Sequence, residues 1–485
     1  MNSLSFNHFR KFEKFPKIDF GDILFLVGAN NSGKSSFLKA NMLFQNYFES
    51  PDVRQFALNL HESSDTKLVN YQRTFNNHIK DKKNKDFIDF TFNTPHYDFH
   101  INISGKDETV VADVHEFKIF HRATNVSVQL FPSRNNYKLE IKPPSDLIDE
   151  DIDIYLNLKK RHDELSNELQ NGDFEPPLLN NSAYLELKNN VDKINGQLKI
   201  FENSNKHKKA LYRKEGHFDG KSILEIIKAL YLVTTFDINK DINKQRQWVK
   251  KSFQNFLSLF TEFIEQRNFH FISASVNKQS VLFLKDDKAN LLAQSIHEFY
   301  NANYKISPKS RIFVNKWLKK FEIGDELEIK SIEDEAYTVN IKNGDETTAL
   351  ADFGRGSIHL AKLIINIASI ISKNNINTTI FIEEPEINLH PKLQSELCNF
   401  FYDVYEEYKI KFIIETHSEY IIRKSQLLVK EYGLEKDVNY NPFSVLYFNE
   451  DRKVWSMIYR EDGKFKNEFG TGFFDESTNL AFDLM

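Results

Sequence analysis

Eight residues near the N-terminus have the types and spacing of a phosphate-binding loop. They run from Gly28 to Ser35 and read Gly-Ala-Asn-Asn-Ser-Gly-Lys-Ser. The glycines permit backbone conformations and close approaches that a Cβ atom would block. We expect Lys34 to reach the β- and γ-phosphates of ATP and the Ser35 hydroxyl to bind Mg²⁺. The residues predicted to bind the nucleotide are Gly28, Asn30, Asn31, Ser32, Gly33, Lys34, Ser35 and Ser36.

A second motif, Thr378–Pro385, is an apolar run that ends in two glutamates. Glu383 is predicted to bind Mg²⁺ through water, and Glu384 to orient or deprotonate the attacking water. By itself such a run is equally typical of a strand with a solvated end. Its combination with the phosphate loop favours the catalytic interpretation.

A third motif places His417 directly after the apolar run Phe412–Glu415. An imidazole at this point can form a hydrogen bond with the γ-phosphate and respond to its loss. A lone histidine is usually structural. This one follows the strand–helix–strand order of a nucleotide-hydrolysing core, so we predict a catalytic role.

The elements around these motifs alternate between strands and helices. Residues 22–27 are typical of a buried strand, and a helix is predicted from Ser36 to about Phe48. From residue 352 onward we expect a helix over 357–372, a strand over 378–384, a helix over 391–408 and a strand over 411–417. This alternation predicts a mostly parallel sheet that is covered on both faces. Alternating residues also predict strands within 87–142 and 326–350.

The middle of the chain is predicted to be mainly helical. Two short heptad series lie within residues 146–205, on either side of a loop with Gly172 and two prolines. They predict an antiparallel helical hairpin that either packs on its own body or projects towards a partner. We expect an N-terminal lobe over 1–145, the hairpin over 146–215, a helical region over 216–325 and a C-terminal lobe over 326–485.

The composition limits the classes of function. A chain of 485 residues with a formal charge of −5 is long enough for two or three structural units and is not globally basic. Cys398, the single cysteine, cannot form an internal disulfide. Without a predicted signal peptide or membrane span, we expect a cytoplasmic protein. DNA contact would need local basic clusters, for which the candidates are Lys80, Lys82, Lys83, Lys85, Lys206, Lys208, Lys209 and Arg213.

Together the three motifs resemble the ABC-type ATPase heads of the Rad50, RecF and SMC group, and most of all the OLD-like ATPases of bacterial defence systems. The resemblance rests on the N-terminal passage through the phosphate loop, on Ile382–Pro391 and on Ile413–Tyr420. It implies an α/β fold, an ABC-type P-loop NTPase head in two lobes with a helical, short coiled-coil hairpin insertion. It also implies that ATP is hydrolysed between two copies of the chain.

In such heads a signature loop of one copy caps the nucleotide on the other. The segment in this chain that corresponds to it consists of Gly354, Arg355, Gly356 and Ser357. The serine follows the glycines here, which departs from the usual Leu-Ser-Gly-Gly order. The subunit-crossing loop aligns with residues 388–390, and Gln72 is a weak candidate for the glutamine loop. The resemblance therefore implies a homodimer or a higher homo-oligomer.

The resemblance also implies a cellular role. The chain would be the ATPase subunit of an anti-phage complex of the PARIS or Septu type, gated by nucleotide. It would hold or release a separate nuclease or toxin of the Toprim or HNH type in response to a phage-derived trigger. About 65 residues follow His417, too few for a Toprim nuclease. The alternatives are a RecF-like DNA-repair ATPase that binds DNA directly and a scaffold that binds ATP without useful turnover.

Overall fold

The structure is a computed structural model of the chain. It describes most of the two predicted lobes and parts of the segments between them. The described residues are 2–59, 70–76, 87–143, 157–169, 182–208, 212–239, 247–273, 281–287, 290–303, 308–373, 377–434, 440–470, 474 and 482–483.

The described residues form three sheets and the helices that pack on them. The strands are β1 (Asn2–Phe9), β2 (Phe12–Phe20), β3 (Ile23–Gly28), β4 (Gln55–Ala57), β5 (Ile88–Asn93), β6 (Tyr97–Ser104), β7 (Val111–His121), β8 (Val126–Phe131), β9 (Asn136–Ile141), β10 (Tyr212–His217), β11 (Asn268–Ile272), β12 (Phe283–Leu284), β13 (Glu326–Ile332), β14 (Ala336–Asn343), β15 (Glu346–Ala349), β16 (Thr378–Glu383), β17 (Lys411–Glu415), β18 (Phe443–Phe448) and β19 (Val454–Met457). The helices are α1 (Lys34–Tyr47), α2 (Tyr71–Thr74), α3 (157–169), α4 (Ser182–Lys208), α5 (Ile223–Asn239), α6 (Gln247–Glu265), α7 (Leu291–Asn303), α8 (Pro308–Lys320), α9 (Arg355–Ser372), α10 (Pro391–Tyr408) and α11 (Glu419–Tyr432).

The central sheet has the strand order β11-β16-β17-β3-β18-β19. Its first five strands are parallel, and only β19 is antiparallel to its neighbour. The sequence prediction of a mostly parallel sheet is confirmed. Strand β3, which leads into the phosphate loop, pairs with β17, although β17 lies nearly 400 residues later in the chain. The two ends of the sequence therefore build one sheet.

Both faces of the central sheet are buried, as expected for strands that are apolar throughout. Leu24 and Leu26 of β3 face a core shared with α1 and the large antiparallel sheet. Phe25 and Val27 face a second core shared with α9, α10 and α11. Helix α1 is therefore enclosed between two sheets, and apolar residues on all its sides are buried.

The large sheet has the order β10-β9-β8-β7-β6-β5-β1-β2, with β4 paired to β7. The strands expected within residues 87–142 are confirmed. Strands β1 and β2 were not predicted, because their register shifts between Leu4 and Phe6 and interrupts the alternation of apolar residues. Strand β10 also belongs to this sheet and crosses the expected boundary at residue 215.

The helical region divides between the two cores. Helices α5 and α6 pack on the antiparallel sheet. Helices α7 and α8 pack with a small sheet of β12, β13, β14 and β15 in the second core. The strands expected within 326–350 are confirmed as part of that small sheet.

Both arms of the expected hairpin contain a helix, α3 and α4. In α4 the heptad residues Val191, Ile194 and Leu198 are buried. The loop between the arms lies outside the described residues, and coiled-coil pairing of the two helices stays a prediction. In the part of the chain that the structure describes, no helix is long and apolar enough to span a bilayer.

Candidate active site

The three sequence motifs meet at one edge of the central sheet. The phosphate loop follows β3, Glu384 follows β16, and His417 follows β17. In register, Glu383 lies beside Glu415, and Glu415 lies beside Leu26. Because the carboxyl ends of parallel strands share one edge, residues about 350 positions apart in sequence become neighbours.

Two glycines give the phosphate loop its shape. Gly28 has a φ of 132°, and a Cβ atom there would lie 2.0 Å from the carbonyl oxygen of Phe448. Gly33 has a φ of 114°, and its Cβ would meet the Phe12 ring at 2.4 Å. Both positions combine a left-handed backbone with a close neighbour, so only glycine fits them. The loop residues Asn30 and Asn31 are exposed, whereas Ser32 and Ser36 are buried.

The Lys34 side chain folds back into the loop. Its Nζ donates to the carbonyl oxygens of Gly28 at 3.0 Å and Ala29 at 2.9 Å, and the residue is 3% exposed. Burial lowers the pKa of Lys34, while the nearby carboxylates of Glu415 and Glu384 raise it. Its direct hydrogen-bond partners are neutral carbonyls, so the ammonium group can exchange them for the oxygens of an anion in the loop.

Ser35, predicted to bind Mg²⁺, contacts a residue that the sequence analysis did not select. Its Oγ donates to Oε1 of Glu415 at 3.0 Å. Glu415 is buried, and burial raises the pKa of its carboxyl group. The sequence feature that could have identified Glu415 is its position at the end of an apolar strand, two residues before His417. Hydroxyl and carboxylate oxygens are suitable ligands for Mg²⁺.

Glu384 and His417 lie together at the exposed side of the site. Nε2 of His417 is 3.7 Å from Oε1 of Glu384, and both side chains are partly exposed. Glu384 has a φ of 43°, and its N–H donates to the carbonyl oxygen of Glu415 at 2.8 Å. Burial and the Lys34 charge lower the pKa of His417, whereas Glu384 raises it.

The turn after Glu384 holds the histidine backbone in place. The N–H of His417 donates to Oε1 of Glu386 at 2.6 Å. Burial raises the pKa of Glu386. Ser418 then caps α11 by accepting the N–H of Ile421 at 3.3 Å. These contacts fix the backbone that carries His417 relative to the turn that carries Glu384.

The turn between β1 and β2 brings two basic residues to the site. Burial lowers the pKa of the partly buried Arg10 side chain, which lies close enough to Glu415 and Glu383 for their charges to raise it. Nζ of Lys11 donates to the carbonyl oxygen of Asn31 in the phosphate loop. Sequence reasoning missed both residues because no motif connects this turn to the later glutamates.

The signature-like residues lie at the start of α9, where Gly354 is the N-cap. A Cβ atom on Gly356 would lie 2.5 Å from the carbonyl oxygen of Asn388, while one on Gly354 would meet no atom within 4 Å. Arg355 is exposed and Ser357 is partly buried. The structure therefore places this segment against the predicted subunit-crossing loop. Gln72 is exposed in α2.

Comparison with known proteins identifies the family of the chain. Residues 1–422 match the protein family described as AAA ATPase domain. The chain belongs to the AAA ATPase domain family. It is thus an ATPase, and the expected α/β P-loop ATPase fold is confirmed. No curated protein matches this AAA ATPase.

Solved structures similar to this AAA ATPase include heads of Smc proteins. One is the Smc head domain of Pyrococcus furiosus with an extended coiled coil, bound to the C-terminal domain of ScpA. It has 11% sequence identity and a TM-score of 0.38, over 100% of both chains. Another is the SMC head domain of Thermotoga maritima, with 11% identity and a TM-score of 0.32, over 92% of this chain and 93% of that one.

Members of an ATPase family bind ATP, and the AAA ATPase offers oxygen ligands for the usual Mg²⁺ beside its phosphate loop. Ser35 and Glu415 are already in contact there, and Glu383 is next to Glu415 in register. Within the described ranges, no group of three or more His, Cys, Asp or Glu side chains could hold a metal ion by itself. Phosphate oxygens and water normally supply the remaining Mg²⁺ ligands.

Proposed function

We propose that ATP binds with its phosphates on Gly28–Ser36 and that Glu384 activates the attacking water. The observation that carries this proposal is the convergence of Lys34, Ser35, Glu384 and His417 at one sheet edge. Lys34 would exchange its two carbonyl partners for phosphate oxygens. Ser35 and Glu383 would hold Mg²⁺, which neutralises phosphate charge when it is bound.

In this proposal Glu384 takes a proton from water, and His417 contacts the γ-phosphate. The 3.7 Å separation of Glu384 and His417 allows both to face the same phosphate. The lowered pKa of His417 favours its neutral form at pH 7. The Glu384 carboxylate can then act as a base, because a neutral imidazole beside it does not form an ion pair with it.

We also propose that the Gly354–Ser357 segment completes the site of a second copy. Gly354 and Arg355 are exposed at a helix N-terminus, where N–H groups and the helix dipole favour anions. The adjoining loop with Asn388 is exposed as well. Both segments are thus available to a partner subunit, which supports a nucleotide-gated homodimer or a higher homo-oligomer.

Replacing Lys34 tests the site directly. Lys34→Ala should abolish measurable ATP binding, because its buried ammonium group already donates to two loop carbonyls, those of Gly28 and Ala29. Lys17→Ala, on the exposed side of β2, is the matched control and should bind as the wild type does. Isothermal titration with ATP and Mg²⁺ measures both. Unchanged affinity of Lys34→Ala would refute the assignment.

At the cellular level, we propose an ATPase subunit that holds or releases a separate nuclease or toxin during anti-phage defence. The support is the resemblance of the three passages to stand-alone defence ATPases. Direct DNA binding is the alternative: of its candidate basic residues, Arg213 forms a 2.9 Å ion pair with Glu140, while Lys80, Lys82, Lys83, Lys85 and Lys209 lie outside the described residues. Co-purification with the product of the neighbouring gene, followed by phage challenge, tests this role. Binding of duplex DNA without a protein partner would favour the repair alternative.

A further inference from the structure

Glu415 is a buried carboxylate with an incomplete set of partners. The residue is 7% exposed at the end of β17. Its Oε1 accepts the Ser35 hydroxyl, while Oε2 is buried and has no hydrogen-bond partner in the described structure. A buried carboxylate oxygen without a partner costs free energy, so its presence calls for a cation or a proton donor at that atom.

The surroundings of Glu415 are those of a phosphate and cation site. Lys34 and Arg10 lie within electrostatic reach of its carboxylate. The Lys34 ammonium group already donates to the loop carbonyls. Nη1 of Arg10 is buried and has no hydrogen-bond partner among the described residues. Neither group satisfies Oε2 through a hydrogen bond. Oε2 is thus left without a described partner next to the Ser35 contact, at the end of the strand that lies between β3 and β16.

We propose that Glu415 is a second carboxylate of the divalent-cation site, in addition to Glu383. By accepting the hydrogen bond of the Ser35 hydroxyl, Oε1 would leave the serine lone pairs available to the cation. Oε2 would then bind the cation or accept a hydrogen bond from one of its waters. This inference rests on the proposed ATP site and extends it to a residue outside the three sequence motifs.

The competing explanation is that Glu415 only balances the charges of Lys34 and Arg10. The two explanations differ in what the conservative variant Glu415→Gln loses. A glutamine can still accept the Ser35 hydroxyl through its amide oxygen, but it brings a neutral NH₂ group close to the cation. Loss of a cation ligand weakens cation binding specifically. Loss of a counter-ion changes the phosphate loop with or without the cation.

The test is a titration of Mn²⁺, followed by electron paramagnetic resonance, on the full chain with a non-hydrolysable ATP analogue. Glu415→Gln should weaken Mn²⁺ binding by about 10–100-fold, the usual range for residues that support a metal site. Glu415→Asp should show a smaller loss. Glu407→Gln, on the exposed end of α10, is the matched control and should match the wild type.

A second measurement separates the outcomes. Affinity for a fluorescent ATP analogue in excess EDTA should be the same for the wild type and Glu415→Gln. The inference is overturned if Glu415→Gln binds Mn²⁺ like the wild type while Ser35→Ala does not. It is also overturned if the EDTA affinity falls as much as the Mn²⁺ affinity. Failure of the ATP site itself would appear differently, as unchanged nucleotide affinity in Lys34→Ala.

Discussion

Burial controls the protonation of individual side chains around the site. It raises the pKa of Glu415 and Glu386 and lowers the pKa of His417 and His359. Glu384 lies at the partly exposed side, next to His417. The Glu384 carboxylate can contact water there, while the more deeply buried Glu415 carboxylate contacts Ser35. Position along the same sheet edge thus separates the two glutamates chemically.

At this scale, Glu384→Gln should keep ATP affinity and slow hydrolysis by about 10²–10⁴-fold, the usual contribution of a positioned base. The amide keeps the shape of the side chain but cannot take a proton. Steady-state phosphate release and ATP titration measure the two quantities, with Glu407→Gln as control. Normal turnover in Glu384→Gln would exclude a general-base role.

Two buried histidines predict how stability depends on pH. His121 and His359 are each 2% exposed, and burial lowers the pKa of each from 6.5 to about 4. Below pH 6.5 these two histidines therefore bind protons in the unfolded chain, while they stay neutral in the folded chain until the pH approaches 4. The contribution of the two neutral histidines to the free energy of unfolding is complete above pH 6.5. It is lost as the pH falls towards 4, by about 3 kcal/mol for each histidine.

Thermal unfolding between pH 7 and pH 4.5 measures this effect. His359→Gln should show a smaller fall in melting temperature over that interval than the wild type. His217→Gln, an exposed position in strand β10 of the large antiparallel sheet, should follow the wild-type curve. If His359→Gln and the wild type lose the same stability, the buried imidazole is not the group that titrates.

At the scale of elements, the site depends on strand ends and on the start of α9. In that helix Gly356 packs against the loop that follows Glu384, and His359 lies one turn further on. The Pro385 backbone raises the pKa of His359 against the larger effect of burial. The start of α9 therefore meets the turn that follows Glu384 at Gly356 and lies close to it again at His359.

The two glycines of this segment should behave differently. Gly356→Ala should destabilise the fold by about 1–3 kcal/mol, because its Cβ would lie 2.5 Å from the Asn388 carbonyl oxygen. Gly354→Ala should cost clearly less, since its Cβ would meet nothing within 4 Å and only the preference for glycine at the N-cap is lost. Denaturant unfolding compares them. The same loss in both variants would contradict the packing described for α9.

The elements also show what sequence patterns can and cannot predict. Apolar runs that end in a glycine, a glutamate pair or a histidine predicted β3, β16 and β17, and with them the sheet edge. Glu415 and Arg10 escaped prediction because their roles come from pairing between strands far apart in sequence. Strand β10 escaped because its polar residues alternate without a clear apolar face.

At the scale of the whole molecule, the central sheet separates two cores, and residues from both ends of the chain contribute to it. The site opens at an edge where the Gly354–Ser357 segment and the Asn388 loop are exposed. Neither segment has a described contact that places it on the phosphate loop of its own chain. We therefore expect a second copy to supply those contacts when ATP is bound.

The mass of Glu384→Gln in solution, measured by light scattering with and without ATP and Mg²⁺, tests this central claim most directly. A variant that binds ATP but hydrolyses it slowly should accumulate the closed assembly. We predict at least a doubling of mass on adding ATP, and no change when Lys34→Ala is combined with Glu384→Gln. If Glu384→Gln stays strictly monomeric with ATP bound, while the wild type hydrolyses ATP, a second copy does not complete the site.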